Sequence, residues 1–195
     1  MKKLVLFGLA VVLTISLGCT KPAYLKTPYL ENHGPRLVEE LQDVDKKVLE
    51  VNIQAIDDRR GEKEVLGIVA GRVVRGENLT HWVAGGFKLL KYFGYYVTFE
   101  RDKEISMRES INLNIEIKTA HVRSISTSMS ATLVLGISYS AGGRPFGRKV
   151  YRGVKTDVNW VSGESEINEL FCLALVPILK SVTNDLDGLY QGRDF

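Results

Sequence analysis

Ile111-Asn112-Leu113-Asn114-Ile115-Glu116-Ile117-Lys118 alternates apolar and polar residues without a break. A period of two puts every apolar side chain on one face of an extended chain, so the stretch predicts a strand half-buried against a core. Downstream, Met129, Ala131, Leu133, Leu135, Ile137 and Tyr139 alternate with small polar residues. Ala141-Gly142-Gly143-Arg144-Pro145 has the residues of a hairpin turn. Beyond it, Phe146, Val150, Val154 and Val158 fall on one face of a further strand, and Arg148 and Arg152 share their parity. Three long strands in this order predict an antiparallel meander.

Working outward, Leu49, Val51, Ile53 and Ala55 alternate with Glu50, Asn52 and Gln54, a strand that ends in the charged turn Asp57-Asp58-Arg59-Arg60-Gly61. Val65 to Val74 carries Gly67 and Gly71 in an apolar run, which favours a short strand or an ordered loop over a helix. Asn78 is the expected cap of a helix whose stripe is Leu79, Val83, Phe87, Leu90 and Phe93, with Gly94 as its stop. Gly85 and Gly86 inside that helix cost ~1 kcal/mol each relative to alanine, which predicts a close crossing over the sheet. Tyr95 to Phe99 reads as a strand. Ser162 is the expected cap of a last helix, with Glu164 and Glu166 in its first turn and Ile167, Leu170, Phe171, Ala174, Leu175, Ile178, Leu179, Val182 and Leu186 facing the core. Pro177 interrupts that stripe and predicts a kink. No internal repeat is evident.

The N-terminus carries the clearest address. Met1-Lys2-Lys3 is followed by an uncharged run from Leu4 to Leu17, then Gly18-Cys19. The run is too short to cross a ~30 Å hydrocarbon core and reads as an export signal. A small residue before cysteine is the layout of a bacterial lipoprotein signal, so residues 1–18 are expected to be removed and Cys19 to carry the lipid. Ser16 and Leu17 depart from the usual box. Thr20 after the cysteine follows the sorting rule for the outer membrane, which places the chain on its periplasmic face. Residues 19–46 hold Pro22, Pro28 and Pro35 and read as a tether, with a short helix over 35–46 allowed by Leu37, Leu41 and Val44. The folded domain is expected over residues 47–187, with a tail over 188–195.

Composition excludes several classes. Removing Lys2 and Lys3 from the 26 basic residues leaves 24 against 23 acidic ones, so the mature chain is nearly neutral and charge gives no reason to expect nucleic-acid binding. With Cys19 acylated, Cys172 has no partner for a disulfide. Cys172 sits among Phe171, Leu173 and Ala174 and reads as a small core residue. His33, His81 and His121 lie far apart in sequence and none has a second ligand at metal spacing, so no metal or cofactor is expected. No phosphate loop, dinucleotide fingerprint or nucleophile elbow occurs, and the chain is not expected to be an enzyme. Asp57, Asp58, Arg59 and Arg60 form the densest charged cluster; they are the candidate partner-binding residues, and a solvated turn with weak ion pairs is the plainer reading. Arg144, Arg148 and Lys149 give one hairpin a basic tip.

The order of these elements resembles that of the YajG-like bacterial lipoproteins. The resemblance rests on the Asp-x-Arg turn at Asp57-Asp58-Arg59, on Phe93-Gly94-Tyr95-Tyr96-Val97 closing the first helix, and on the strand from Ile111 to Ile117. Ala131-Thr132-Leu133-Val134, the strand through Tyr151-Arg152 and a helix ending near Asp185 complete it. The resemblance implies an α+β fold: a mixed, mainly antiparallel sheet with two main helices on one face, similar to the amino-terminal domain of TolB. It carries over no catalytic residue. The function expected is therefore a non-enzymatic outer-membrane lipoprotein. Its domain would bind another envelope protein as an adaptor or assembly factor, at a sheet edge and the charged turn. The alternative is an auxiliary of a transport system holding a lipid or other apolar ligand in room made by Gly85, Gly86 and Pro177. An oligomer is compatible with both.

Overall fold

The computed structural model describes residues 21–39, 49–76, 78–99, 110–158 and 163–192. Along the chain the elements are β1 (Ala23–Tyr24), α1 (Thr27–Glu39), β2 (Leu49–Asp58), β3 (Val65–Val69), β4 (Arg72–Arg75), α2 (Leu79–Phe87), a 3-10 helix (Lys88–Phe93), β5 (Tyr95–Phe99), β6 (Ile111–Ile125), β7 (Ser128–Ala141), β8 (Arg144–Val158) and α3 (Glu164–Tyr190). The fold is α+β, with one mixed and mainly antiparallel sheet. α3 packs on β7 and β8, α2 packs on β2, and α1 lies against both helices.

The meander predicted from residues 111–158 is present. β6 pairs antiparallel with β7, and β7 with β8. The core face of β6 is Ile111, Leu113, Ile115 and Ile117, all buried. A bulge between Ile117 and Thr119 shifts the register, so that Ala120 and Val122 then face inward. The opposite side of β6 is shared. β2 runs parallel to it over Ile111 to Ile117, and β3 runs parallel to it at Val122 and Arg123. Gly67 makes the fork possible. A Cβ there would stand 1.9 Å from the Val122 carbonyl oxygen, and its φ is +147°. The ambiguous stretch from Val65 to Val74 is thus a hairpin, turning at Ala70 and Gly71 with positive φ.

Three details differ from the sequence reading. First, the tether expected over residues 19–46 is folded where it is described. β1 pairs parallel with β4, and Ala23 and Leu30 are fully buried in the common core. Pro28 does not prevent α1, because it sits in the first turn, where a missing N–H breaks no bond. The domain boundary therefore lies before Ala23, not at residue 47, and α1 joins the two main helices that pack on the sheet. Second, Gly85 and Gly86 serve a contact between helices, not a crossing over the sheet. A Cβ at Gly85 would lie 3.0 Å from Thr27 Cγ2 of α1, and one at Gly86 would lie 2.4 Å from Leu175 Cδ2 of α3. Third, Asn78 precedes α2 but its side chain makes no capping bond; its carbonyl oxygen accepts from the Trp82 N–H. The expected cap Ser162 lies outside the described residues; at Gly163 the backbone N–H donates to the Glu166 carboxylate.

Candidate functional site

Cys19 and the leader lie outside the described residues. The charged turn is described, and it resolves into two unlike pairs. Arg59 Nη2 donates to Asp57 Oδ2 at 3.1 Å, with both side chains more than half exposed. Arg60 is buried. It donates from Nε and Nη2 to the Asp58 carboxylate at 2.9 and 2.8 Å, and from Nη2 to the Lys63 carbonyl oxygen at 2.6 Å. Burial pushes the Asp58 carboxyl up, and the Arg60 hydrogen bonds and charge outweigh that, so it is held below the usual range. Asp58 and Arg60 thus pin the connection from β2 to β3 beside the fork. Only Asp57 and Arg59 present themselves to a partner.

The other groups singled out by sequence stand apart from one another. Cys172 is buried in α3, where desolvation, with a smaller contribution from Glu169, pushes the thiol up to about 12. His33 stacks on Tyr29 with ring centroids 4.1 Å apart. His81 is exposed on α2. His121 lies on β6, its pKa lowered by burial and by the like charges of Arg123 and Arg152. Among the described residues, no group of three or more His, Cys, Asp or Glu could hold a metal. The volume beside Gly85 and Gly86 is filled by Thr27, Leu30 and Leu175, and Pro177 lies exposed within α3.

The geometry that the sequence did not disclose is the outward face of the sheet. The helices cover one face, so residues paired across strands with outward parity share the other. Toward β5 this face is a ladder of amides. Asn52 Nδ2 donates to Asn112 Oδ1 at 2.9 Å, and Asn114 Nδ2 donates to Gln54 Oε1 at 3.0 Å. In the middle, Glu116 accepts from Arg148 and lies 3.9 Å from Lys118. Beyond this pair the face turns apolar and basic. Ile68, Ile125, Val150, Val154 and Val158 are 46–60% exposed, and Arg123 and Arg152 stand among them. β7 contributes Ser130 and Thr132, small side chains kept at 7% and 6% exposure by the longer ones on either side.

The valines of β8 are a correction. Val150, Val154 and Val158, read from sequence as the apolar set of this strand, face solvent, while Tyr151 and Gly153 face the core. Two contacts with α3 settle the parity. At Gly153, a Cβ would stand 1.7 Å from the Ala174 carbonyl oxygen, so the helix backbone lies directly on the strand. Tyr151 donates its hydroxyl to Asp185 at 2.6 Å, Lys149 reaches the same carboxylate at 2.7 Å, and Tyr139 bonds the Tyr151 hydroxyl. The signal in the sequence was the parity shared by the valines with Arg148 and Arg152.

No family model matches the chain, and no curated protein matches it. Among solved structures, the chain is similar to a Xanthomonas campestris protein of the DUF330 family. The TM-score is 0.50 at 8% identity, over 72% of this chain and 86% of that one, which shows the fold alone. It is also similar to a minor lipoprotein from Acinetobacter baumannii, with a TM-score of 0.41 at 10% identity over 70% of this chain and 90% of that one. A lipoprotein from Neisseria meningitidis gives a TM-score of 0.35 at 12% identity, over 71% and 99% of the two chains. No helix among the described residues is long and apolar enough to cross a membrane.

Proposed function

We propose that the protein is a non-enzymatic lipoprotein of the bacterial envelope, anchored by a lipid on Cys19, whose sheet binds another envelope protein. Thr20 after Cys19 and the order of elements shared with YajG-like lipoproteins support a place on the periplasmic face of the outer membrane. The observation that carries the reading is β8. Among the described residues this strand of 15 residues pairs with β7 alone, and Arg148, Val150, Arg152 and Val154 alternate along its outward face. A long edge strand offers a row of backbone N–H and C=O groups to an added strand, and its side chains set which strand fits. The basic residues favour a partner with acidic ones and oppose pairing with a second copy of β8.

The test is a photo-crosslinking residue placed at Val150 or at Arg59 in intact envelopes. Position 150 should yield an adduct to one defined protein, and Val154→Asp or Arg152→Glu should abolish it. An adduct from position 59 alone would move the interface to the Asp57–Arg59 side. Absence of a defined adduct from both positions would end the adaptor reading.

A further inference from the structure

One end of the sheet gathers features that the strand pairing alone would not require. β3 runs parallel to β6, so its last residues lie beside the last residues of β6. β1 runs parallel to β4 and antiparallel to β3, so its first residues lie there too. Arg72 Nε donates to the Lys21 carbonyl oxygen at 2.6 Å, which fixes the incoming chain at the turn between β3 and β4. The same end carries the turn from β6 to β7 and the last residues of β8, since Ser128 pairs with Val158.

On the outward face at this end stand Ile68, Ile125 and Val158, exposed at 60%, 54% and 51%. Ile68 is registered directly beside Arg123. Lys21 is exposed and Arg72 half-buried at the same end, with the parity of the buried Ala23 and Val69 and so on the helix side of the edge. Two acids lie close by: Asp157, whose carboxylate accepts from the backbone N–H of Val158 at 2.8 Å, and Glu164, which pairs with Lys26. The opposite end of the meander is the exposed turn at Gly142 and Gly143, and at that end of the sheet the large apolar side chain exposed among the described residues is Tyr96 on β5.

The geometry points to this end as a surface that rests on an anionic phospholipid bilayer, with Ile68, Ile125 and Val158 at headgroup depth, Arg123 beside them facing the lipid phosphates, and Lys21 and Arg72 at the rim on the helix side. The inference rests on the lipid at Cys19. That residue lies two positions before Lys21, so it is at most ~7 Å of extended chain from the Lys21 carbonyl that Arg72 holds. A chain leaving the sheet at one end brings that end to the membrane first. Exposed apolar side chains with cations beside them are the composition that binds such an interface, through buried area and attraction to anionic headgroups. The surface is separate from the middle of β8 assigned to the protein partner.

The test uses the full lipidated protein in vesicles, with nitroxide labels on Ile68→Cys, Ile125→Cys and Gly143→Cys. Cys172 is buried and Cys19 is acylated, so neither should take the label. In vesicles of phosphatidylethanolamine and phosphatidylglycerol, labels at 68 and 125 should collide with dissolved oxygen at least threefold more, relative to an aqueous nickel chelate, than the label at 143. Arg123→Glu should reduce that ratio, and so should vesicles of phosphatidylcholine alone. Labels at 68 and 125 as aqueous as the one at 143, on protein that floats with the vesicles, would overturn the docking and leave the anchor standing. A ratio that ignores both phosphatidylglycerol and Arg123→Glu would overturn the role given to the cations. Flotation of the Cys19→Ala chain as complete as that of the native protein would overturn the anchor on which the inference rests.

Discussion

At the scale of single residues, the turn after β2 shows how neighbours of like composition divide their work. Asp57 and Arg59 point to solvent, where an ion pair contributes ~0–1 kcal/mol. Asp58 and Arg60 are enclosed, with side chains 13% and 5% exposed. Removing one member of an enclosed pair leaves its partner uncompensated, which costs about 3 kcal/mol or more. Arg60→Ala should therefore lower unfolding stability by about that amount, and Arg59→Ala by less than ~0.5 kcal/mol, in urea titrations. The sign of the pH effect follows from Asp58. Its carboxyl in the folded protein titrates below its ordinary value of 3.8. The pair's stabilisation is thus complete above that ordinary value and fades as pH falls toward the lowered one. Arg60→Ala should flatten this acid-side slope, measured as the difference in stability between pH 6 and pH 3.

At the scale of elements, close backbone approach decides where α3 can lie. A Cβ at Gly153 has no room against the Ala174 carbonyl, so Gly153→Ala should displace the helix, lower stability by about 3 kcal/mol and disturb the bond from Tyr151 to Asp185. Chemical denaturation with tyrosine fluorescence would report both. The same contact explains the limits of the sequence. β6, β7 and α3 were legible because their apolar periods match their burial, and β2 was legible as far as Ile53, after which a bulge turns Ala55 outward and Ile56 inward. β8 was legible as a strand, but its buried face was not, since a glycine gives no hydrophobic signal and Tyr151 is one residue against three valines. α1 was missed for a related reason. Three prolines dominate its neighbourhood, and among the described side chains Leu30, packed against Gly85 and Gly86, and the half-buried Tyr29 mark it as core. The candidate site was half legible. Charge picked out Asp57 to Arg60, whereas the exposed apolar and basic end is assembled from β3, β6 and β8 and has no continuous trace in the chain.

At the scale of the whole molecule, the first described residues are tied to the last helix. Asn168 is 1% exposed. Its Oδ1 accepts from the Lys26 N–H at 2.7 Å, and its Nδ2 donates to the Tyr24 carbonyl at 3.0 Å and to the Glu164 carbonyl at 2.7 Å. Lys26 Nζ adds an ion pair to Glu164 at 2.5 Å. Asn168→Leu would strand the Lys26 N–H and the Tyr24 carbonyl, each costing about 1–3 kcal/mol when buried without a partner. Limited trypsin digestion should then cut after Lys26 at least tenfold faster than in the native protein. Equal rates would mean that the Asn168 bonds do not hold residues 21–39, and that the β1 pairing, the Lys26–Glu164 pair and the burial of Ala23 and Leu30 suffice.

The attachment of β1 also has a mechanical meaning. Were the segment slack, tension on a lipid at Cys19 would be absorbed as the chain straightened. Here the load passes at once into the shear pairing of β1 with β4 and, through Lys26 and Asn168, into the helix that clamps β7 and β8. With a lipid on Cys19 the domain would move with its anchor as a rigid body, so that a pull on that lipid would be felt across the sheet as far as β8.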